Sequence, residues 1–177
     1  MFLPATVKGG LFGDLTMKKA LALTVLVLST FTFQQSFADD FPTVPSPQMT
    51  PGKLCDKPDA TRYPEKIAYC DRDVPAPEKY QLMADYDRTF GYKIEQMPRA
   101  DFKIDHYIPL CVGGSNDVSN LWPQHKSVYV ITDPLEEALC TKMSEGKLLQ
   151  KDAVELIKEG KNHLDEVPQI LAHVNSL

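Results

Sequence analysis

This chain has no excess of positive charge. Its 177 residues include 19 Lys and Arg against 24 Asp and Glu, which gives a formal net charge of −5. An acidic chain does not attract nucleic acids through its overall field, so binding of that kind requires a local basic surface. Internal repeats and low-complexity tracts are also absent from the sequence. A repeat architecture is therefore excluded.

The sequence also lacks a long hydrophobic run. Its apolar segment Ala20–Phe33 is too short to cross a bilayer. The run follows the basic Met17-Lys18-Lys19 and precedes the small-x-small sequence Ser36-Phe37-Ala38. This pattern predicts a secretory signal peptide cleaved after Ala38, with an upstream extension before Met17. The mature protein is expected in the periplasm or outside the cell, without stable membrane association. An uncleaved membrane anchor is the alternative.

Removal of residues 1–38 takes away three lysines and one aspartate, so the formal charge of the mature chain is −7. No cysteine sits at the predicted cleavage point, which argues against a lipid-anchored form. The acidity of the mature chain is the strongest sequence argument against a nucleic-acid substrate.

The chain has no C-x-x-C pair, and its four cysteines lack the spacing of a zinc finger. An even number of cysteines in an exported chain instead predicts disulfides. Four cysteines allow three pairings. We favour Cys55 with Cys70, because these two bracket one compact loop, which leaves Cys111 with Cys140.

The mature chain is predicted to have one folded domain. Residues 39–52 are rich in proline and are expected to form a flexible lead-in. Residues 53–177 are enough for one hydrophobic core and not for two. Periodicity and turn residues predict the following elements: a helix from Pro77 to Gly91, a half-buried strand over 102–106, a short strand around Leu121-Trp122, and helices over Pro134 to about Ser144, near 151–159 (stopped by Gly160) and near 165–174.

The most informative stretch runs over residues 105–124. Asp105 and His106 end the predicted strand, the turn-forming Gly113-Gly114 folds the chain back, and Asn120 follows. Hydrolysis of a phosphodiester needs an activated water, a base, and a cation for the developing charge. An unperturbed histidine titrates near neutrality and suits the base. Carboxylate and amide oxygens are hard ligands of the kind that Mg²⁺ prefers.

The motif D-H-x-x-P-L, followed by G-G-S-N-D and N-L-W-P, resembles the HNH endonucleases of the ββα-metal superfamily across this stretch. The resemblance implies an α+β fold with a ββα-metal core, extended here by additional helices and a disulfide-stapled N-terminal loop. It implies His106 as general base and Asp105 as metal ligand. Asn120 would be a catalytic residue that either binds the metal or fixes the active loop. Products with a 5′ phosphate and a 3′ hydroxyl are also implied.

The chain departs from the family at the third element of the motif. A second histidine is expected on the helix after the asparagine, and Cys140 stands at that position. Glu136 or His125 are the candidates to replace it as a ligand. The spacing of Asp133, Pro134 and Glu136 also fits a capping box that opens a helix without any metal. For His125 the alternative is a surface or phosphate-contacting role.

A local basic surface would have to supply the attraction for a nucleic acid. The candidates for it are Arg72, Arg99, Lys103, His125 and Lys126, and several of them flank the motif in sequence. The alternative is that these residues are scattered surface charges that only keep the protein soluble.

Together these features predict an exported, monomeric, metal-dependent endonuclease that cleaves DNA, RNA or both with little sequence preference. The expected metal is Mg²⁺, with Mn²⁺ and Zn²⁺ as alternatives. Two other functions remain open: a catalytically idle HNH-like protein that binds a partner or nucleic acid, and another metal-dependent phosphoesterase.

Overall fold

Two antiparallel ribbons and four helices make up residues 40–177, the part of the chain that this computed structural model describes. The predicted signal peptide and its cleavage point lie outside the described residues. The mixed α+β fold predicted from the sequence is confirmed. In chain order the elements are β1 (Ala60–Arg62), β2 (Ile67–Tyr69), α1 (Ala76–Phe90), β3 (Phe102–His106), β4 (Leu121–His125), α2 (Lys126–Ser144), α3 (Gln150–Asn162) and α4 (Val167–Asn175).

The ribbon of β3 and β4 carries the sequence motif. Its register pairs Phe102 with His125 at one end and His106 with Leu121 at the other. Helix α2 follows β4 directly, because the side chain of His125 caps the helix by accepting a hydrogen bond from the backbone N–H of Ser127. Strand β3 is buried along most of its length rather than on one face, since α1 and α2 both contact the ribbon.

Two apolar clusters form the core. Helices α2, α3 and α4 surround the first, which includes Leu135, Leu139 and Ile157. Helix α1 packs on the ribbon around the second, in which Tyr86 and Trp122 are completely buried. The predicted helix between a proline and a glycine is confirmed as α1, which has Pro in its first turn and ends at Gly91 in the left-handed conformation, with φ of 76°.

The predicted start of α2 is wrong. The helix begins at Lys126 and contains Pro134 in its interior, so the capping box over residues 133–136 does not exist. Asp133 instead forms an ion pair with Lys103 at 2.6 Å. A proline favours the first turn of a helix, but here the packing of the apolar face of α2 outweighs the lost backbone hydrogen bond.

The predicted end of α3 is also wrong, because the helix passes through Gly160 and ends at Asn162. This glycine serves the contact between two helices. A Cβ atom at Gly160 would lie 2.6 Å from Cδ2 of Leu135 on α2. The glycine therefore lets α3 approach α2 closely instead of ending the helix.

The proline-rich segment 40–52 lies on the domain. Phe41 stacks on His125 with ring centroids 4.0 Å apart. Thr50 is completely buried, and its hydroxyl donates to the backbone oxygen of Leu121 at 2.8 Å and contacts the hydroxyl of Tyr86 at 2.7 Å. This packing departs from the predicted flexible lead-in. Prolines lose little conformational freedom when they are ordered, so packing a proline-rich segment costs little conformational entropy.

Both predicted disulfides are present. Cys55–Cys70 joins Cα atoms 5.8 Å apart and closes the loop that contains β1 and β2. Cys111–Cys140 joins Cα atoms 5.7 Å apart and ties the turn after β3 to α2. Within residues 40–177, no helix has the length and apolar character that a membrane span requires. The disulfides are compatible with an exported protein.

Candidate active site

His106 ends β3 and is almost completely buried, and its two ring nitrogens have different partners. Nε2 lies 3.0 Å from Oδ1 of Asn116, and Nδ1 lies 3.4 Å from Nη1 of Arg72. A guanidinium group has no acceptor, so Nδ1 must carry the lone pair and Nε2 must donate its proton to Asn116. The imidazole is therefore held in one neutral tautomer, with its proton-accepting nitrogen beside a cation.

Burial is the largest influence on the His106 imidazole and lowers its pKa to about 4. The hydrogen bond with Asn116 acts in the opposite direction, and the charge of Arg72 adds to the lowering. At neutral pH the ring is unprotonated, which is the state that a general base requires.

The two partners of His106 are themselves fixed by backbone atoms. Arg72 donates from Nη2 to the backbone oxygen of Ile104 at 2.7 Å. Asn116 donates from Nδ2 to the backbone oxygen of Asp71 at 2.7 Å, so its Oδ1 faces the histidine. The guanidinium and the amide therefore hold His106 from the segment after β2 and from the β3–β4 loop.

A cleft of about 420 Å³ opens beside Asn116. Charged side chains dominate its wall, and acids outnumber bases: the cleft is lined by Lys53, Asp56, Lys57, Asp59, Cys70, Asp71, Asp73, Ser115, Asn116 and Asp117. Hydrogen bonds from Ser119 and Lys53 lower the pKa of Asp117 to about 2, so this carboxylate stays charged at neutral pH. The wall of the cleft is therefore acidic.

Asn120 fixes the loop between β3 and β4 from inside. Its side chain is completely buried. Oδ1 accepts from the backbone N–H of Ile108 at 2.9 Å and of Lys53 at 3.4 Å, and Nδ2 donates to the backbone oxygens of Ile108 and Ser115, both at 2.9 Å. Two donated and two accepted hydrogen bonds use the full capacity of an amide. No lone pair of Asn120 remains for a metal, which does not fit the predicted ligand role.

Asp105 and His106 are adjacent in sequence but point to opposite faces of the ribbon, because side chains alternate along a strand. The Asp105 carboxylate contacts two ammonium groups: Oδ2 lies 2.8 Å from Nζ of Lys161, and Oδ1 lies 3.4 Å from Nζ of Lys103. Arg72 and Asn116, which contact His106, do not contact the Asp105 carboxylate. The acid and the imidazole therefore belong to two separate clusters.

Glu136 joins the Asp105 cluster from α2. Its Oε1 lies 2.6 Å from Nζ of Lys161, which is completely buried. Burial raises the pKa of Glu136 to about 7, although the nearby ammonium opposes this shift. For Lys161 the two carboxylates outweigh the effect of burial and hold its pKa above the ordinary value, so it remains protonated.

The divalent metal that the resemblance implies does not fit these residues. The Asp105 carboxylate is occupied by two lysines, the Asn120 amide is saturated, and Cys140 is part of a disulfide. His125 does not replace the missing ligand, since it caps α2 and stacks on Phe41. Across the described residues 40–177, His, Cys, Asp and Glu side chains form no group of three or more that could hold a metal ion.

The predicted basic surface is split between the two ends of the ribbon. Of the five basic candidates, only Arg72 contacts His106. Lys126 pairs with Asp101 at 2.8 Å, and Arg99 donates to the backbone oxygen of Phe102. The other candidates, Lys103 and His125, also lie near the start of β3. Phe102 at the start of β3 lies four residues from His106, which at about 3.4 Å per residue is roughly 14 Å.

Two residues of the site were not predicted as functional. Asn116 appears in the sequence only as part of a turn, and its hydrogen bond with His106 depends on the path of the loop. Lys161 shares the apolar face of α3 with Ala153 and Ile157. A charged residue at these helical spacings is a signal that sequence reading could have used.

Comparisons of this chain with protein-family models, with curated proteins and with solved structures found no match. Its function is therefore inferred from the contacts of its own residues.

Proposed function

We propose that this chain is an exported hydrolase of nucleic-acid phosphodiesters in which His106 is the general base. The observation that supports this function best is the neutral imidazole between Asn116 and Arg72. Arg72 satisfies the lone pair of the buried imidazole, as any hydrogen-bond donor would, and it also places a positive charge beside the proton-accepting nitrogen. That pairing suits a reaction in which a proton is accepted next to a developing negative charge.

In the proposed step, Nδ1 of His106 accepts a proton from water while the water oxygen forms a bond with phosphorus. The bond between phosphorus and the leaving oxygen breaks as the new bond forms, and the leaving oxygen takes a proton from solvent. Arg72 supplies positive charge beside the phosphoryl oxygens, and its 3.4 Å contact with Nδ1 is long enough to be displaced by water. Asn116 keeps the proton on Nε2 and so preserves the reactive tautomer.

The order of elements supports the same class of protein. Strand β3 ends in the Asp-His pair, a glycine loop leads to β4, and α2 follows without a break. We propose that residues 102–144 have the ββα architecture of the HNH nucleases, with the changes at Asp105 and Cys140 described above. Little sequence preference is expected, because the basic groups near the motif contact backbone atoms and acids.

A second function is favoured by the electrostatics of the site. Asp105 is neutralised by lysines, and the cleft beside Asn116 is acidic, which disfavours a polyanion. These two features suit a catalytically idle relative that binds a partner. The two proposals differ in one measurable respect, which is whether phosphodiesters are cleaved.

The test uses the mature protein with supercoiled plasmid and, separately, with labelled single-stranded RNA, in buffers containing either Mg²⁺ or EDTA. We expect cleavage of at least one substrate, and cleavage in either buffer supports the hydrolase. Arg72→Gln should lower the rate about 10²-fold or more, since one positioned cation is lost. Arg99→Gln, at the opposite end of the ribbon, is the matched control and should cleave at the wild-type rate.

Failure to cleave either substrate in either buffer would remove the hydrolase proposal. Absence of RNA and DNA binding, measured by fluorescence anisotropy, would then support an idle relative whose partner is not a polyanion.

A further inference from the structure

Lys161 is completely buried, which lysines almost never are unless they are paired. Its ammonium is surrounded by three oxygen atoms, two from β3 and one from α2. Nζ lies 2.8 Å from Oδ2 of Asp105 on β3, 2.6 Å from Oε1 of Glu136 on α2, and 2.6 Å from the backbone oxygen of His106. Two carboxylates and a carbonyl are ligands that a hard cation prefers.

We infer that the ammonium of Lys161 is the built-in cation of the Asp105 site and fills the position that the resemblance assigns to a divalent metal. The oxygens of Asp105 and Glu136 come from the two elements, strand and following helix, on which the HNH motif places its ligands. The chain therefore keeps the acidic groups of such a site and supplies the positive charge covalently.

Two ammonium groups already occupy this cluster without a metal. Lys161 and Lys103 both contact Asp105, and Glu136 contributes the second carboxylate. A divalent cation entering the same space would meet an ammonium less than 3 Å from each carboxylate. Binding would require the lysine to leave.

The helix that carries Lys161 is held in place on both sides of it. Gly160 packs against Leu135, and Asn162 donates from Nδ2 to the hydroxyl of Tyr107 at 2.7 Å. The lysine is therefore not free to swing outward with the end of α3. This inference does not depend on whether His106 hydrolyses a substrate.

The test is a calorimetric titration of the mature, full-length protein with Mn²⁺ alone, together with thermal melting in Mn²⁺ and in EDTA. We expect the wild type to bind no Mn²⁺ through Asp105 and to melt at the same temperature in both buffers. Lys161→Ala leaves a space beside two carboxylates, so this variant should bind one Mn²⁺ at least about tenfold more tightly than the wild type. It should also melt higher in Mn²⁺ than in EDTA.

Two variants show where the metal binds. Asp105→Asn combined with Lys161→Ala should lose the gained Mn²⁺ site, whereas Lys151→Ala, an exposed lysine on the same helix, should behave as the wild type does. Wild-type binding of Mn²⁺ that Asp105→Asn abolishes would overturn the inference, and this arm does not require any Lys161 variant to fold. A folded Lys161→Ala protein without a new Mn²⁺ site would also overturn it.

Discussion

At the residue scale, the site is organised by the atoms that each side chain still has available. The lone pair of His106 faces Arg72, whereas the Asn120 amide has no free hydrogen-bonding capacity and the Asp105 carboxylate contacts two lysines. The sequence was sufficient to select these residue types, but not their partners. Lys161 lies 56 positions beyond Asp105, and nothing local to the motif indicates that the two meet.

Asn120 provides a test of loop fixation against metal binding. Asn120→Ala would leave the buried backbone groups of Ile108 and Ser115 without partners, which should lower the free energy of unfolding by about 2 to 4 kcal/mol. Urea denaturation measures this loss. Asn116→Ala, a less buried asparagine of the same loop, is the control and should cost about 1 kcal/mol. Restoration of Asn120→Ala stability by Mn²⁺ would contradict the loop-fixing role.

The low pKa of His106 predicts a pH dependence of stability. The folded state lowers this pKa from 6.5 to about 4, so the unfolded chain binds the proton more readily between these values. The free energy of unfolding should therefore fall as the pH is lowered from about 6.5 to about 4, by at most about 3 kcal/mol from this group. Above pH 6.5 the contribution is fully present.

The measurement compares urea unfolding of the wild type and His106→Gln across that pH range. The pKa of Glu136 is raised to about 7, so this group makes the fold more stable as the pH falls, opposite to His106. Both proteins contain Glu136. Its contribution cancels in the difference. Parallel pH profiles for the two proteins would show that His106 is not held in a neutral state by the fold.

At the scale of elements, regular patterns were predicted well and packing-dependent boundaries were not. The ends of α1 follow from a proline and a glycine. The same two residue types were misleading at Pro134 and Gly160, where contacts among α2, α3 and α4 determine the helix ends. Local propensity is a weak influence when an amphipathic face is buried, so sequence alone did not indicate which proline or glycine would be overridden.

The β3–β4 loop depends on a glycine that permits close backbone approach. A Cβ atom at Gly114 would lie 1.8 Å from the backbone oxygen of Ile108. Gly114→Ala should therefore destabilise the fold by about 2 to 4 kcal/mol, because backbone atoms must move. Gly91→Ala is the control: its surroundings are open, and its positive φ should cost only about 1 kcal/mol. Equal denaturation midpoints for the two variants would contradict this description of the loop.

At the scale of the whole molecule, the resemblance implied the α+β fold class, and the positions of four cysteines predicted both disulfides, because only three pairings are possible and Cys55 and Cys70 bracket one compact loop. The high proline content of residues 40–52 predicted a flexible segment. It does not reveal that Phe41 and Thr50 pack on the β3–β4 ribbon. Composition also gave no indication that acids would gather on the wall of one cleft. That arrangement depends on the tertiary positions of residues from distant segments.

The Cys111–Cys140 disulfide connects the turn after His106 to α2 and should stabilise the whole domain. Its cysteines are 29 positions apart, so replacing both with serine should lower the free energy of unfolding by on the order of 3 kcal/mol on a loop-entropy model. Denaturation under non-reducing conditions measures this loss. In reducing buffer the gap between the variant and the wild type should close, and a variant as stable as the oxidised wild type would refute the prediction.

The most direct test of the central claim pairs a cleavage rate with a melting temperature for His106→Ala. If His106 is the general base, the rate per folded molecule should fall by about 10² to 10⁴-fold. His163→Ala, an exposed histidine after α3, should retain the wild-type rate. A purely structural His106 would lower the melting temperature and leave the rate of the folded fraction unchanged. Wild-type cleavage by folded His106→Ala protein would contradict the mechanism proposed for this site.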